Sequence, residues 1–552
     1  GGNSSAPDTY SALRDPFLGV PRDGDPHTFV YYDDSRKKHV VPLPPDRPIV
    51  KLEWGLYVFV PSIKALSELK EIAADAAISL EDKDDRKRKD RRAFERAFYA
   101  QKGAEIIANL GRAEKFQGFE AAAKLWKIVL EDAGPRQAGA GQAVWAAIRE
   151  RHGGVLRTPH GVLVCSKKLV TEVFNNGARN YTVTGYAERM RASFGEIYLG
   201  KDDGGMTSEY RAEACPANKA IMAISREEAF ECALEQTKKT LRLLVGDADE
   251  KKLEVRDIVD DVLAGLSSEW FGVPDGTYVV GGGWHWRPDQ QPTCPGHFHS
   301  PSRYMFQPNP GPEAARIGER HGQAANVAVG RLLGAHGSNA KRTLGKIGNA
   351  LFDAFSGDMD LLTRTLIGVM MGFLPTVDGN MRGALYEWVN NRSLWDFQIE
   401  YLGDGAEDSL EKATRILMPR LRETLLLRPV PELAWRTALV KHSLGAVEVH
   451  PGERIVVSIV SATQECLMSD EFDGDSPYFD DLYFIFGGDR SKKDHPTHAC
   501  PGYEMAMGVM LGMLAGLLGS ARLRPTMSPF QLAIGMRQAA GAGGQTHANA
   551  PA

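Results

Sequence analysis

Beyond residue 60, apolar residues recur mostly at helical spacing. Leu66, Leu69, Ile72 and Ala73 share one helix face, and so do Phe94, Phe98 and Ile106. The same periodicity predicts helices over Lys168–Asn176, Arg226–Leu244, Val255–Phe271, Pro312–Leu333, Ala340–Phe355, Leu361–Asn391 and Leu410–Leu427, with a last one after Cys500. Strand texture is sparser. Gly154–Pro159 and Gly161–Ser166 read as a hairpin around Pro159-His160-Gly161, and Ala446–Val449 and Arg454–Val460 flank a Pro451-Gly452 turn. The first fifty residues are punctuated by proline and read as extended and loop-rich. Gly134–Gly141 reads as a linker, and residues 541–552 as a frayed tail. The pattern predicts a mainly α protein with a small β region.

Charge and composition exclude several classes. The 552 residues carry 66 basic and 71 acidic side chains, a net charge of −5, so no general nucleic-acid footprint is expected. The densest charge run, Glu81–Arg92, mixes both signs and reads as a solvated helix face. The longest apolar run, Met505–Leu518, is shorter than the roughly 20 residues that cross a bilayer, so a buried core helix is expected and no membrane span. The first ten residues carry no apolar stretch of the kind secretory signals have, and the reading is a cytoplasmic protein. Six cysteines in so long a chain fit a reducing compartment, where a special cysteine is a ligand or a nucleophile.

One cysteine stands out. Phe486-Gly487-Gly488 leads to His498-Ala499-Cys500-Pro501-Gly502, and an apolar helical pattern follows at once. A cysteine just ahead of a helix sits at the positive end of the macrodipole, which favours thiolate. Backbone N–H groups there can hydrogen-bond the sulfur, and Gly502 lets a flat group approach closely. This stretch resembles the haem-ligand loop of the cytochrome P450 superfamily, with Phe486, Gly487, Gly488, His498, Cys500 and Gly502 matching. About seven extra residues, near Arg490–Pro496, separate the two halves of the motif. Three further segments carry the resemblance. Glu423–Ala438 is similar to the family's K-helix and the strand after it, with Glu423 on its Glu-x-x-Arg and Arg436 on a propionate-binding Arg. Gly452–Ser458 with Ser461-Ala462, and His152–Phe174, resemble the strands and helix starts that pack around the site.

The departures are informative. Leu426 occupies the Arg of Glu-x-x-Arg, which leaves Arg420 or Arg422 as substitutes. In the distal I helix, expected at Leu361–Asn391, setting Gly372 on the family glycine puts Leu374 on the acid and Pro375 on the alcohol that deliver protons to bound dioxygen. Neither can relay a proton. Thr376 or Asp378 would stand in with a shifted register, and Pro375 frees a helix carbonyl. Met206 and Tyr210 replace the His and Arg of the family's C-helix propionate pair, with Tyr210 and Arg211 as substitute donors.

A rival cluster, His285, Cys294, His297 and His299, lies in an insertion between the F and G helices, but its spacing fits no common zinc module. Trp284, Trp286, Phe298, Tyr304 and Phe306 read there as a lid over an apolar cavity. Arg490, Lys492 and Lys493 in the inserted loop read first as an exposed loop with no partner, with docking charges for an acidic ferredoxin-type partner as the alternative.

The resemblance thus implies a P450-type, mainly α fold over residues 140–540, preceded by a largely helical extension, 1–139, of unknown role. It implies haem b (iron protoporphyrin IX) ligated by Cys500, with His498, Arg436, Phe486, Gly502, Tyr210 and Arg211 around it. Gly372, Pro375, Thr376 and Asp378 are the distal candidates. The implied function is oxidation of a hydrophobic small molecule through a ferryl intermediate, as a monooxygenase or a peroxide-using peroxygenase. A hydroperoxide isomerase or dehydratase, and a non-catalytic haem-binding or sensor protein, are the alternatives.

Overall fold

Gly508, Gly512 and Gly516 fall four residues apart on the last helix, Tyr503–Ser520. A Cβ on Gly508 or Gly512 would stand 2.3 Å from the carbonyl oxygen of Arg226 or Phe230. That stripe lets the helix Arg226–Val245 pack against Tyr503–Ser520 backbone to backbone. The computed structural model describes residues 18–22, 25–32, 38–42, 49–51, 57–59, 97, 99–108, 118–131, 140–175, 177–205, 208–273, 296–336, 344–390, 392–469, 482–526, 528 and 530–537. The helical pattern expected at Leu66–Ala73, the charge run Glu81–Arg92, Phe94 and Phe98, most of the linker and the tail lie outside them.

The chain folds as two compact units. The first takes Gly1–Thr182, Gln307–Asn309 and Pro431–Asp473. Here the proline-punctuated N-terminal stretch forms five strands, Leu18–Arg22, Asp25–Tyr32, Lys38–Pro42, Ile49–Lys51 and Tyr57–Phe59, in one antiparallel sheet. Helical structure follows over 99–108, with Gly118–Glu131 and Ala140–Arg151 beyond. Tyr99 packs with Ala143 and Ala146, so residues expected in the extension share a core with those beyond 140.

The expected hairpin is present as Val155–Thr158 and Gly161–Val164. Gly161 turns at φ 137°, and a Cβ there would meet the Arg454 carbonyl at 2.3 Å, so the turn needs glycine. Gly161–Val164 runs parallel to Arg454–Ser458, which pairs antiparallel with Leu433–Ala438. That makes a mixed sheet of nearly all buried strands. Ser458 ends its strand and caps the helix Ile459–Leu467, accepting from Ser461 N–H.

The second unit takes Val183–Phe306, Pro310–Val430 and Gly474–Ala552 and is mostly helical. Its axis is the helix Met359–Asn390, 32 residues running through Pro375. Met359–Asn390 and Tyr503–Ser520 are long and apolar enough to cross a membrane by length and composition, and both are mostly buried within the protein. The expected single helix Leu410–Leu427 is two, Leu410–Ile416 and Met418–Leu427, because Pro419 has no N–H and suits a helix's first turn, not its interior. The C-terminal hairpin Ala521–Pro525 and Gln531–Met536 takes Lys251–Glu254 as its third strand.

The glycine stripe carries a testable cost. Gly512→Ala is expected to destabilise by about 1–3 kcal/mol through overpacking. Gly383→Ala, on Met359–Asn390 with nothing within 4 Å of the added Cβ, is expected to stabilise by about 0.4–1 kcal/mol. Denaturant midpoints of the two variants check both signs.

Candidate functional site

The loop ahead of Tyr503–Ser520 is shaped by backbone hydrogen bonds that a run of ordinary residues would not allow. Gly487 and Gly488 have φ of 74° and 126°. They reverse the chain so that Gly487 N–H donates to Phe484 O at 3.0 Å and Gly488 N–H to Tyr483 O at 2.9 Å. Cys500 N–H then donates to Phe486 O at 2.8 Å, so the two halves of the motif close on each other despite the residues inserted between them. Gly502 N–H donates to Cys500 Sγ at 3.3 Å. A Cβ on Gly502 would stand 3.7 Å from that sulfur, so glycine keeps the approach beside it free. Cys500 is half-buried. Burial pushes its thiol pKa up, while the Gly502 N–H and the Arg490 charge pull it down.

Tyr210 lies on the helix Glu209–Met222 and reaches this loop. Its hydroxyl donates to Thr497 O at 2.8 Å, and its ring meets His498 edge-on, 5.2 Å between centroids. Phe486 packs edge-on against Tyr503 at 4.9 Å. Arg211 departs from expectation. Its guanidinium forms a fork on Asp203, with Nε 2.9 and 3.0 Å from the two oxygens and Nη2 at 2.8 Å, and holds that carboxyl below its usual range. Asp203 also accepts from Ser208 Oγ and Gly205 N–H. Arg211 is therefore spent on the loop before its helix, and it is removed from the candidates for a propionate. Met206 lies outside the described residues. Arg436 belongs to the first unit, on Leu433–Ala438, where it donates to its neighbour's carbonyl, Trp435 O, and its guanidinium lies 5.7 Å from the Phe174 ring centroid.

On Met359–Asn390 the distal candidates separate by face. Met370, Met371, Phe373, Leu374, Pro375, Val377 and Asp378 are all buried, whereas Gly372 is exposed and Thr376, four residues on, is half-buried. Nothing lies within 4 Å of a Cβ built on Gly372, so open space fronts it. Thr376 Oγ1 donates to Gly372 O at 2.5 Å and lies 3.1 Å from Phe373 O. The alcohol on the Gly372 face is thus Thr376, one place beyond Pro375; the helix carboxylate on the same side, Glu387, stands about three turns further along. Asp378 is two residues, about 200°, around the helix. It is fully buried, pairs with Arg382 one turn on, and lies 3.3 Å from His299 Nε2. This excludes Asp378 as the shifted acid.

Of the rival cluster, only His299 is described with its side chain. His285 and Cys294, with the side chain of His297, lie outside the described residues, as do Trp284 and Trp286. His299 groups with Asp260 and Asp378, their ligand atoms within 4.8 Å of one another. Arg256 and Arg382 lie on the two carboxylates, so the charges already balance without a dication. Phe298 is buried, Tyr304 donates to Glu319 at 2.9 Å, and Phe306 packs on Tyr186 at 5.5 Å. These three are anchored side chains.

The Glu-x-x-Arg departure is also resolved locally. Leu426 is fully buried in the core, and Arg420 lies over the Phe397 ring, 5.7 Å from its centroid. The ion pair that ties this helix's end to the long helix is Arg428–Glu387, 3.3 Å. Arg428 offsets part of the burial that raises the Glu387 pKa.

No family model matches the chain, and no curated protein matches it. Among solved structures it is similar to a mutant of the cytochrome P450 EryK in complex with erythromycin B. The TM-score is 0.50 at 14% identity, over 74% of this chain and 97% of that one. The chain has a cytochrome P450-type, mainly α fold.

Burial lowers the pKa of His299 below 6.5, against a smaller pull from Asp378. The unfolded chain therefore binds the proton first, and stability falls as pH drops through and below 6.5. His299→Gln is expected to flatten that part of the profile, measured as denaturant midpoint between pH 7 and 5.

Proposed function

We propose that the protein is a haem-thiolate oxidoreductase that oxidises a hydrophobic small molecule, and that its site suits a peroxide as oxidant better than dioxygen. The observation that carries this reading is the closure of the Phe486–Cys500 loop, with Gly502 N–H on the sulfur, in a P450-type fold. The residues fit haem b. A thiol at a helix start is a soft donor with N–H support, and the glycine beside it leaves room for a flat ring. Cys500 would hold the iron, and His498 would serve a propionate. When bound, the group supplies an electron-rich iron that favours O–O cleavage.

The chain's own residues then set the chemistry. Gly372 leaves the space in front of the long helix open, between Val369 and Phe373, two apolar neighbours that favour an apolar substrate. Thr376 offers one hydroxyl, already donated to Gly372 O, and the helix carboxylate on its side, Glu387, stands about three turns away and pairs with Arg428. Protonating reduced dioxygen needs a proton supply, whereas a peroxide arrives with its protons and electrons. A ferredoxin-type partner would find Lys492 and Lys493 exposed near the thiolate loop, and peroxide would make it dispensable.

The reduced, carbon monoxide-bound spectrum tests the first step. Wild-type protein reconstituted with haem is expected to show the thiolate band, and Cys500→Ala to lose it. Colourless protein, or a nitrogen-ligated pigment, would sink the reading. Turnover of an apolar substrate is expected with hydrogen peroxide and to be weaker with dioxygen plus a ferredoxin and its reductase. Thr376→Ala is expected to keep peroxide turnover within about threefold, against the roughly 10²–10⁴-fold that losing a working general acid costs. Conversion of a fatty hydroperoxide with no added oxidant would favour the isomerase alternative instead.

A further inference from the structure

The residues inserted into the thiolate loop do more than lengthen it. Arg490 is half-buried, not extended into solvent. Its guanidinium donates to Ala499 O, the carbonyl beside Cys500, while the Tyr210 hydroxyl donates to Thr497 O. The inserted side chain thus holds one end of the His498 turn, and Tyr210 holds the other. Its neighbours' charges go elsewhere. Asp489 takes the N–H and hydroxyl of Ser491 and lies 3.8 Å from Lys492. Among the described residues no carboxylate pairs with Arg490. A half-buried cation with no counter-ion is costly unless an anion is meant to lie near it. The site offers one, the Cys500 thiolate, one residue on from the Ala499 carbonyl that Arg490 holds.

We propose that Arg490 is a positioning residue and a fixed positive charge for the Cys500 thiolate, which clamps the Thr497–Cys500 turn and raises the reduction potential of an iron bound there. The proposal rests on the haem-thiolate reading above. A cation held beside the ligand stabilises the state with one more electron, so its removal makes reduction harder. It also reassigns Arg490, which loses its place among the docking charges because its head group is turned inward, while Lys492 and Lys493 remain outside.

The test is the midpoint potential of reconstituted protein. Arg490→Gln is expected to shift it negative by about one tenfold change in the ferrous-to-ferric ratio, 59 mV for one electron. Arg490→Lys, which keeps the charge, should recover most of that shift. Lys493→Gln, an exposed charge screened by salt, should leave it unchanged. Haem content and melting temperature, read in parallel, report the clamp. An unchanged potential in Arg490→Gln overturns the proposal, and so does a loss of haem affinity without a potential shift, since that would make Arg490 a propionate contact. Equal shifts in the Gln and Lys variants would also overturn it. Wild-type protein without a thiolate band would defeat the underlying reading as well, whereas a normal band with an unmoved potential defeats only the role of Arg490.

Discussion

The hydrogen bond from Cys500 N–H to Phe486 O is the constraint on which the candidate site depends. It closes a loop whose two halves are separated by inserted sequence, and it does so only because Gly487 and Gly488 accept positive φ. Once it is made, the sulfur stands ahead of Tyr503–Ser520, and Gly502 N–H can reach it. The helix behind it is packed closely in turn, since Gly508 and Gly512 let its backbone meet that of Arg226–Val245, and Gly516 makes room for the Thr237 side chain. Placement of one reactive atom thus rests on glycines at two levels, in the turn and in the helix packing.

Polar groups around this core are committed to structure as often as to chemistry. Arg211 and Asp203 fix the start of Glu209–Met222, and Arg382 and His299 hold Asp378 inside the helix bundle. Arg428 and Glu387 pair between the end of Met418–Leu427 and the long helix. Each of these charged residues is partnered at its own depth of burial, as the cost of an unpaired buried charge demands. Arg490 differs, because its hydrogen-bond partner is the Ala499 carbonyl and among the described residues no carboxylate pairs with it.

The long helix shows how one turn of register redistributes function. Gly372 and Thr376 are four residues apart and share an open face, whereas Pro375 and Asp378 point into packed surroundings. That open face carries one alcohol, Thr376, whose hydroxyl is already donated to Gly372 O.

The amino-acid sequence by itself determined the helical texture, the hairpin at Gly161, the glycine-flanked cysteine and the long apolar helix, because each is written in spacing of a few residues. It also pointed to the P450-type fold, whose motif residues lie close together in the chain. The N-terminal sheet was not legible, since its strands are short and proline-bounded and gain their order only by pairing. Nor was the fate of Arg211, Asp378 or Arg490. An arginine next to a site reads the same in sequence whether it faces a ligand, a carboxylate or a backbone carbonyl. Only the tertiary structure decided among these, because a deciding partner such as His299 for Asp378 lies far away along the chain and meets it through helix packing.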